Sequence, residues 1–258
     1  MSDSTVTQGP ARQGASVLGT YIDALDWGAT IGRILQWTAD RESRTVCLCN
    51  AHSSVTALDN ADLANALSTS DMVLPDGAPV AWVLRRKGFR AQTRIAGPDL
   101  MLRLCEALQD TRISVFLFGS SEATLSRLQQ NLKTRFPRLI IKGALSPKFG
   151  TWTQDEETHY TDTINRSGAA IIFVGLGCPR QEIWMAKHSK QISGVLLGVG
   201  AAFDFHAGTI QRAPEYMQRA GLEWLHRLAS EPKRLWRRYL VTNSYFLWHA
   251  VRDLLQHH

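Results

Sequence analysis

Cysteine is scarce in this chain, and the few residues present are badly spaced for staples or metal clips. The four are Cys47, Cys49, Cys105 and Cys178, with no Cys-x-x-Cys pair among them. That excludes a disulfide-dense secreted scaffold and points to a reducing compartment. Long apolar runs are missing too. No stretch reaches the twenty or so residues that cross a bilayer, and the first twenty residues lack the apolar centre of a secretory leader. The dinucleotide fingerprint G-x-G-x-x-G is absent: "GLGCPR" carries Arg180 at its third glycine position and "GVGAAF" carries Phe203 there. That speaks against a nucleotide-cofactor oxidoreductase. No Asp-x-Asp occurs, which disfavours a metal-bridged nucleotide sugar.

What is present is a basic chain, with formal net charge +6 and pI near 9.3 over 258 residues. Such a balance suits an anionic partner: a phosphorylated substrate, a nucleic acid or an acidic membrane. Residues 1–16 read as a disordered start and "SVLGTYI" as a short strand-like piece ahead of a helix around "WGATIGRILQWTAD". Then strand-like runs at 45–49, 72–74, 113–118, 138–143, 169–175 and 194–200 alternate with helical stretches. This rhythm predicts an α/β fold: a Rossmann-like, mostly parallel sheet of about six strands with helices on both faces, over residues 17–212. From residue 213 to 258 the chain is helical, basic and aromatic, with Ser230 as the expected cap and Pro232 in the first turn of its last helix.

Open α/β sheets bind ligands where strands end and helices begin. After "TVCLC" come Asn50 and His52, as helix caps or polar site groups. A zinc site from Cys47, Cys49 and His52 is a poor reading, since no second ligand pair has suitable spacing. After "MVL" stands Asp76, an N-cap or a general base at the crevice mouth. Arg94 precedes a Gly-Pro-Asp turn, as a phosphate clamp or a solvated loop residue. Gly119 and Ser120 open a helix, for an anion or for plain capping. In "FVGLGCPRQEIWM", Gly175 and Gly177 permit close approach, while Gln181 and Glu182 suit hydrogen bonding to a polyol or a base. Cys178 is a small packed residue rather than a nucleophile. In "GVGAAFDFHAGTIQRAP", Asp204, His206 and Arg212 follow a strand; a metal held by Asp204 and His206 is a minor reading. The tail interleaves Arg227, Arg234, Arg237 and Arg238 with Trp and Leu. That pattern suits an interfacial helix on anionic lipid, a helix packed on its own domain, or a nucleic-acid surface, with lipid favoured by the aromatics.

The ordered set "PDG", "RIAGPDL", "FLFG", "GLGCPRQEIWM", "GVGAAFDFHAG" and "RAPEYMQRAGLEWLHRLASEPKRLWRR" resembles the WecG/TagA/CpsF glycosyltransferases, over roughly residues 45–238. The resemblance implies a Rossmann-like domain with a C-terminal appendage that meets the cytoplasmic face of the inner membrane as a peripheral protein. It implies inverting transfer, without cofactor or metal, from a UDP-sugar to an undecaprenyl-diphosphate-linked sugar, for exopolysaccharide, teichoic acid or common-antigen synthesis. Within it Asp76 is the general base, Asn50 the asparagine after the first strand, Arg94 a diphosphate contact and Gln181 a donor contact. Gly119, Ser120, Gly175, Gly177, Glu182 and Asp204 complete the expected donor site, with Arg212, Arg227, Arg234, Arg237 and Arg238 facing membrane and lipid acceptor. Leu48 stands where many members carry Thr, and His52 is expected to supply a polar group instead. The donor leans to a neutral hexose over an N-acetylhexosamine or its uronate, no nucleic acid is expected as partner, and an oligomer stays open. A non-catalytic UDP-sugar or lipid-binding scaffold is the competing class.

Overall fold

A computed structural model describes residues 12–230 and 232–255; residues 233–235 and 237–241 are described by their helical backbone alone. The first described elements form a hairpin, β1 (Gly14–Val17) and β2 (Thr20–Asp23). Its turn residues Leu18 and Gly19 both take positive φ, 50° and 81°, as a two-residue type I′ turn requires. The hairpin is tied down by Asp23, which accepts from the Val73 amide at 2.7 Å and pairs with Arg12 at 2.6 Å. Order therefore begins ahead of the expected residue 17; of the stretch expected to be disordered, residues 1–11 lie outside the described residues.

Six strands form the main sheet: β3 (Arg44–Cys49), β4 (Met72–Pro75), β5 (Ser114–Gly119), β6 (Ile140–Leu145), β7 (Ile171–Gly175) and β8 (Val195–Gly198). Their order is β4-β3-β8-β7-β5-β6, and every pairing is parallel. The helices are α1 (Trp27–Ala39), α2 (Ala51–Asp59), α3 (Ala61–Thr69), α4 (Ala78–Arg86), α5 (Gly97–Leu108), α6 (Glu122–Arg135), α7 (Gln154–Ser167), α8 (Arg180–His188), α9 (Ala202–Ala207), α10 (Glu215–Arg219), α11 (Glu223–Ser230) and α12 (Pro232–Leu255).

Both sheet faces are covered, which explains why the strands read as unbroken apolar runs. Val46, Leu48, Leu74, Leu117, Phe173 and Leu197 point towards α1, α5, α6 and α9. Cys47, Cys49, Val73, Phe118, Val174 and Leu196 point the other way, towards α3, α4, α7, α8 and α12. The neighbouring strands β3 and β8 continue into helices on opposite faces, α2 and α9. A crevice opens at their carboxyl ends for that reason.

The basic C-terminal segment is built into this body. Phe246 and Ala250 of α12 are buried with the second core cluster, and Lys87 pairs with Asp253 at 2.7 Å. Trp236, Leu247, Trp248 and Val251 remain exposed on the same helix. Pro232 opens α12 as expected, but Ser230 ends α11, its hydroxyl donating to the His226 carbonyl at 3.0 Å. Among the described residues no helix is long and apolar enough to cross a membrane.

Candidate active site

A cavity of about 380 Å³ occupies the crevice at the ends of β3, β4, β7 and β8. Asp76, Asn50, His52, Arg94, Gly177, Gln181 and Glu182 all line it, so the sequence-predicted catalytic groups and much of the predicted donor site come together.

Asp76 is placed by its backbone. Its N–H donates to the Cys49 carbonyl at 2.9 Å, extending the β3–β4 ladder one step past the strand. Asn50 serves two purposes. Its Oδ1 accepts from the Ser53 amide at 3.1 Å and caps α2, while its Nδ2 donates to Asp76 Oδ2 at 3.4 Å. Asp76 itself caps no helix; the N-cap of α4 is Gly77, at φ 94° and without a side-chain hydrogen bond. The carboxyl is densely surrounded by protein although it keeps contact with the cavity. Burial is the main reason its pKa rises from 3.8 to about 6. The Asn50 hydrogen bond opposes that rise, Glu223 adds to it, and Arg94 and Arg227 reduce it. A carboxylate so tuned is a competent base near neutral pH.

Gln181 sews the two glycine loops together. Its Oε1 accepts from the Gly200 amide at 3.1 Å, and its Nε2 donates to Glu182 Oε1 at 2.8 Å. A side chain at Gly198 would strike it, with Cβ only 3.1 Å from Gln181 Nε2. Glu182 is almost fully buried, and burial raises its pKa despite Gln181 and the Cys178 thiol. His52 faces the cavity with Nδ1 at 3.4 Å from Thr56 Oγ1. Leu48 presents a buried apolar wall to the cavity. It packs against the start of α5, where a Cβ on Gly97 would come within 2.9 Å of it.

Anion-binding capacity is concentrated here. Helices α1, α2, α3, α6 and α7 are each capped by a side chain. Helices α4, α5 and α8, whose first residues line the cavity, have no side-chain cap. Pro79 and Pro98 carry no N–H and the Gln181 amide donates to the Gly177 carbonyl at 2.9 Å, but the remaining first-turn amides and the helix dipoles suit phosphate oxygens, and Arg94 and Arg227 add full charges. Among the described residues no group of three or more His, Cys, Asp or Glu could hold a metal ion. Cys47 and Cys49 are buried against Ser70 and Ser54 at 3.1 and 3.3 Å, and His206 is bonded to the Pro98 carbonyl at 2.9 Å.

Several expected site residues lie elsewhere. Gly119, Ser120, Gly175 and Asp204 do not line the cavity. Gly119 lets β5 approach β7, since a Cβ there would sit 2.5 Å from the Gly175 carbonyl oxygen. Gly175 makes room for Phe203, 2.7 Å from its virtual Cβ. Ser120 donates its amide to Gly175, and Asp204 accepts from Thr209 at 3.3 Å. Arg212 is turned inward, gripping Asp99 with both terminal nitrogens at 2.6 and 2.8 Å. Arg227 also faces inward: it lines the cavity and stacks on Phe205 at 5.5 Å. The side chains of Arg234, Arg237 and Arg238 lie outside the described residues.

The larger omission is the wall supplied by the C-terminal segment. Gly221, Glu223, Trp224, Thr242 and Asn243 line the cavity. No sequence signal set them apart: Glu223 is one of four acids, with Glu215, Glu231 and Asp253, in the basic segment 213–258.

Residues 15–258 match the model of the glycosyl transferase WecG/TagA/CpsF family. The chain belongs to that family: it is a glycosyltransferase acting in cell-surface glycan synthesis.

Proposed function

We propose that the protein moves a hexose or N-acetylhexosamine(uronate) from a UDP-sugar to an undecaprenyl-diphosphate-linked sugar, with inversion, at the cytoplasmic face of the inner membrane. The observation that carries this is Asp76. It is held by Asn50 at the crevice floor, has a pKa raised to about 6, and stands among uncapped helix starts and two arginines.

In the reaction, Asp76 takes the proton from an acceptor hydroxyl. The hydroxyl oxygen bonds to the anomeric carbon from the side opposite the diphosphate, and the bond from that carbon to the phosphate oxygen breaks. UDP leaves with the bonding electrons. Arg94, Arg227 and the amides at the starts of α4, α5 and α8 meet the growing charge in place of a metal. Gln181 and the loops at Gly177 and Gly200 hold the rest of the donor. The apolar Leu48 wall favours a neutral hexose. The exposed aromatics of α12 rest on the anionic membrane that carries the lipid acceptor.

The test is UDP release by full-length protein in detergent, with a lipid-diphosphate-sugar acceptor and a panel of UDP-sugars, with and without EDTA. Acceptor-dependent release from one donor, unchanged by EDTA, supports the reading. Release that depends on a divalent ion, or near-normal release by Asp76→Asn, removes the mechanism.

A further inference from the structure

Glu223, the first residue of α11, reaches the cavity and holds two arginines. Its Oε2 accepts from Arg94 Nη1 at 2.9 Å, and its Oε1 accepts from Arg212 Nε at 3.1 Å. Arg212 in turn holds Asp99 on α5. Four charges thus alternate in sign: Arg94, Glu223, Arg212, Asp99. The Arg94 and Glu223 side chains are 22% and 16% exposed, so water screens their contact only in part.

The two ends of this chain are unequal. Arg212 engages two acids, one of them through a two-pronged grip. Arg94 has one ion-pair partner among the described residues and gives it a single nitrogen. A guanidinium carries five donors, so Arg94 is held but far from saturated. Glu223 can also give Arg94 up without losing every partner, because Arg212, whose charge it shares with Asp99, still donates Nε to it. That avoids the large cost of stranding one member of a buried pair.

Beyond Glu223, α11 meets the cavity through Trp224 and through Arg227, which stacks on Phe205, and the chain enters the helix through Gly221 at φ 74°. We infer that Glu223 is a positioning residue of the anion site: it and a donor phosphate compete for Arg94, so diphosphate binding passes Glu223 to Arg212 and loosens α11. This rests on the reading of the cavity as a nucleotide-sugar site. It goes beyond that reading by linking donor occupancy to the segment that carries the exposed Trp224 and Leu225.

The experiment is calorimetric titration of full-length wild type and Glu223→Gln with UDP, uridine and geranyl diphosphate, together with hydrogen exchange of residues 223–230. Removing the competing charge should tighten UDP roughly tenfold, equivalent to about 1.4 kcal/mol, and leave uridine unchanged. In the wild type, saturating UDP should speed exchange in 223–230. Unchanged or weaker UDP binding by Glu223→Gln with wild-type melting overturns the inference, as does protection of 223–230 by UDP. A response confined to geranyl diphosphate overturns it as well, by giving Arg94 to the acceptor. If the variant does not fold, the wild-type exchange result decides. A wild type that binds no UDP fails the nucleotide-sugar reading itself, which separates the two failures.

Discussion

Replacing Asp76 by Asn should make the protein more stable while removing its activity, and the two effects share one cause. In the unfolded chain this carboxyl ionises near 3.8; in the folded chain it ionises near 6, chiefly because it is buried. Between those values the folded state holds more protons, so the wild type loses stability as pH rises from about 4 to about 6. At about 1.4 kcal/mol per tenfold change, the full penalty above pH 7 is about 3 kcal/mol. Asn keeps the shape, and its carbonyl can still accept from Asn50. Relaxation and water in the cavity reduce the recoverable gain to about 1–3 kcal/mol. Urea unfolding at pH 7.5 and pH 4 measures it: the variant should be more stable at pH 7.5, with the difference shrinking to about 0.5 kcal/mol at pH 4. Turnover should fall by roughly 10²–10⁴, and wild-type kcat/KM should rise through a midpoint near pH 6. A variant less stable at pH 7.5, or a difference that ignores pH, refutes a buried, charge-penalised base.

Other consequences are separable from that one. Gly119→Ala places a Cβ 2.5 Å from the Gly175 carbonyl at φ 126°, so thermal melts should show a loss of about 2 kcal/mol or more. Gln181→Ala leaves the Gly200 amide and Glu182 Oε1 without their present partner. A cost of about 1–3 kcal/mol is expected, with weaker UDP binding by calorimetry. The double change Leu247→Ser and Trp248→Ser touches only exposed positions of α12; it should reduce sedimentation with anionic vesicles and leave the melting temperature in place. Deleting residues 231–258 should destabilise the whole protein, because it uncovers the face that Phe246 and Ala250 cover.

The sheet was legible because it is buried on both sides. Parallel strands covered twice leave no polar alternation to confuse with helix, and residues 45–49 and 113–118 fall almost on β3 and β5. Asp76, Asn50 and Gln181 were legible as neighbours because topology delivers every parallel strand's carboxyl end to the same edge; Arg94, in the loop between α4 and α5, reaches that edge because the Ile95 amide donates to the Pro75 carbonyl at 2.8 Å. The misplacements have a common origin. A glycine that makes room for another part of the chain is written like one that makes room for a ligand. Gly175 spares Phe203 and Gly119 spares Gly175, and neither contact is local enough to be read in one dimension. Arginines behave likewise: Arg212 reads as a cation facing membrane and lipid acceptor until its acid, Asp99, arrives from 113 residues earlier in the chain.

The same reasoning explains why α12 admitted three readings from its sequence and is two-sided in the fold. A helix rich in Trp, Tyr, Phe and Arg satisfies the pattern of a membrane-surface helix and that of a packed one, because each needs one apolar stripe. This helix has more apolar surface than one stripe can use. Phe246 and Ala250 go inward while Leu247, Trp248 and Val251 stay outside, on neighbouring positions of the same turns. Membrane contact through the outer set therefore need not compete with folding through the inner set. The body of the protein already meets the orienting cost, and Thr242 and Asn243 bring the same helix to the cavity wall. On the proposed reading, lipid held by the outer residues would bear on a helix whose middle turn lines the site, rather than on a detached anchor.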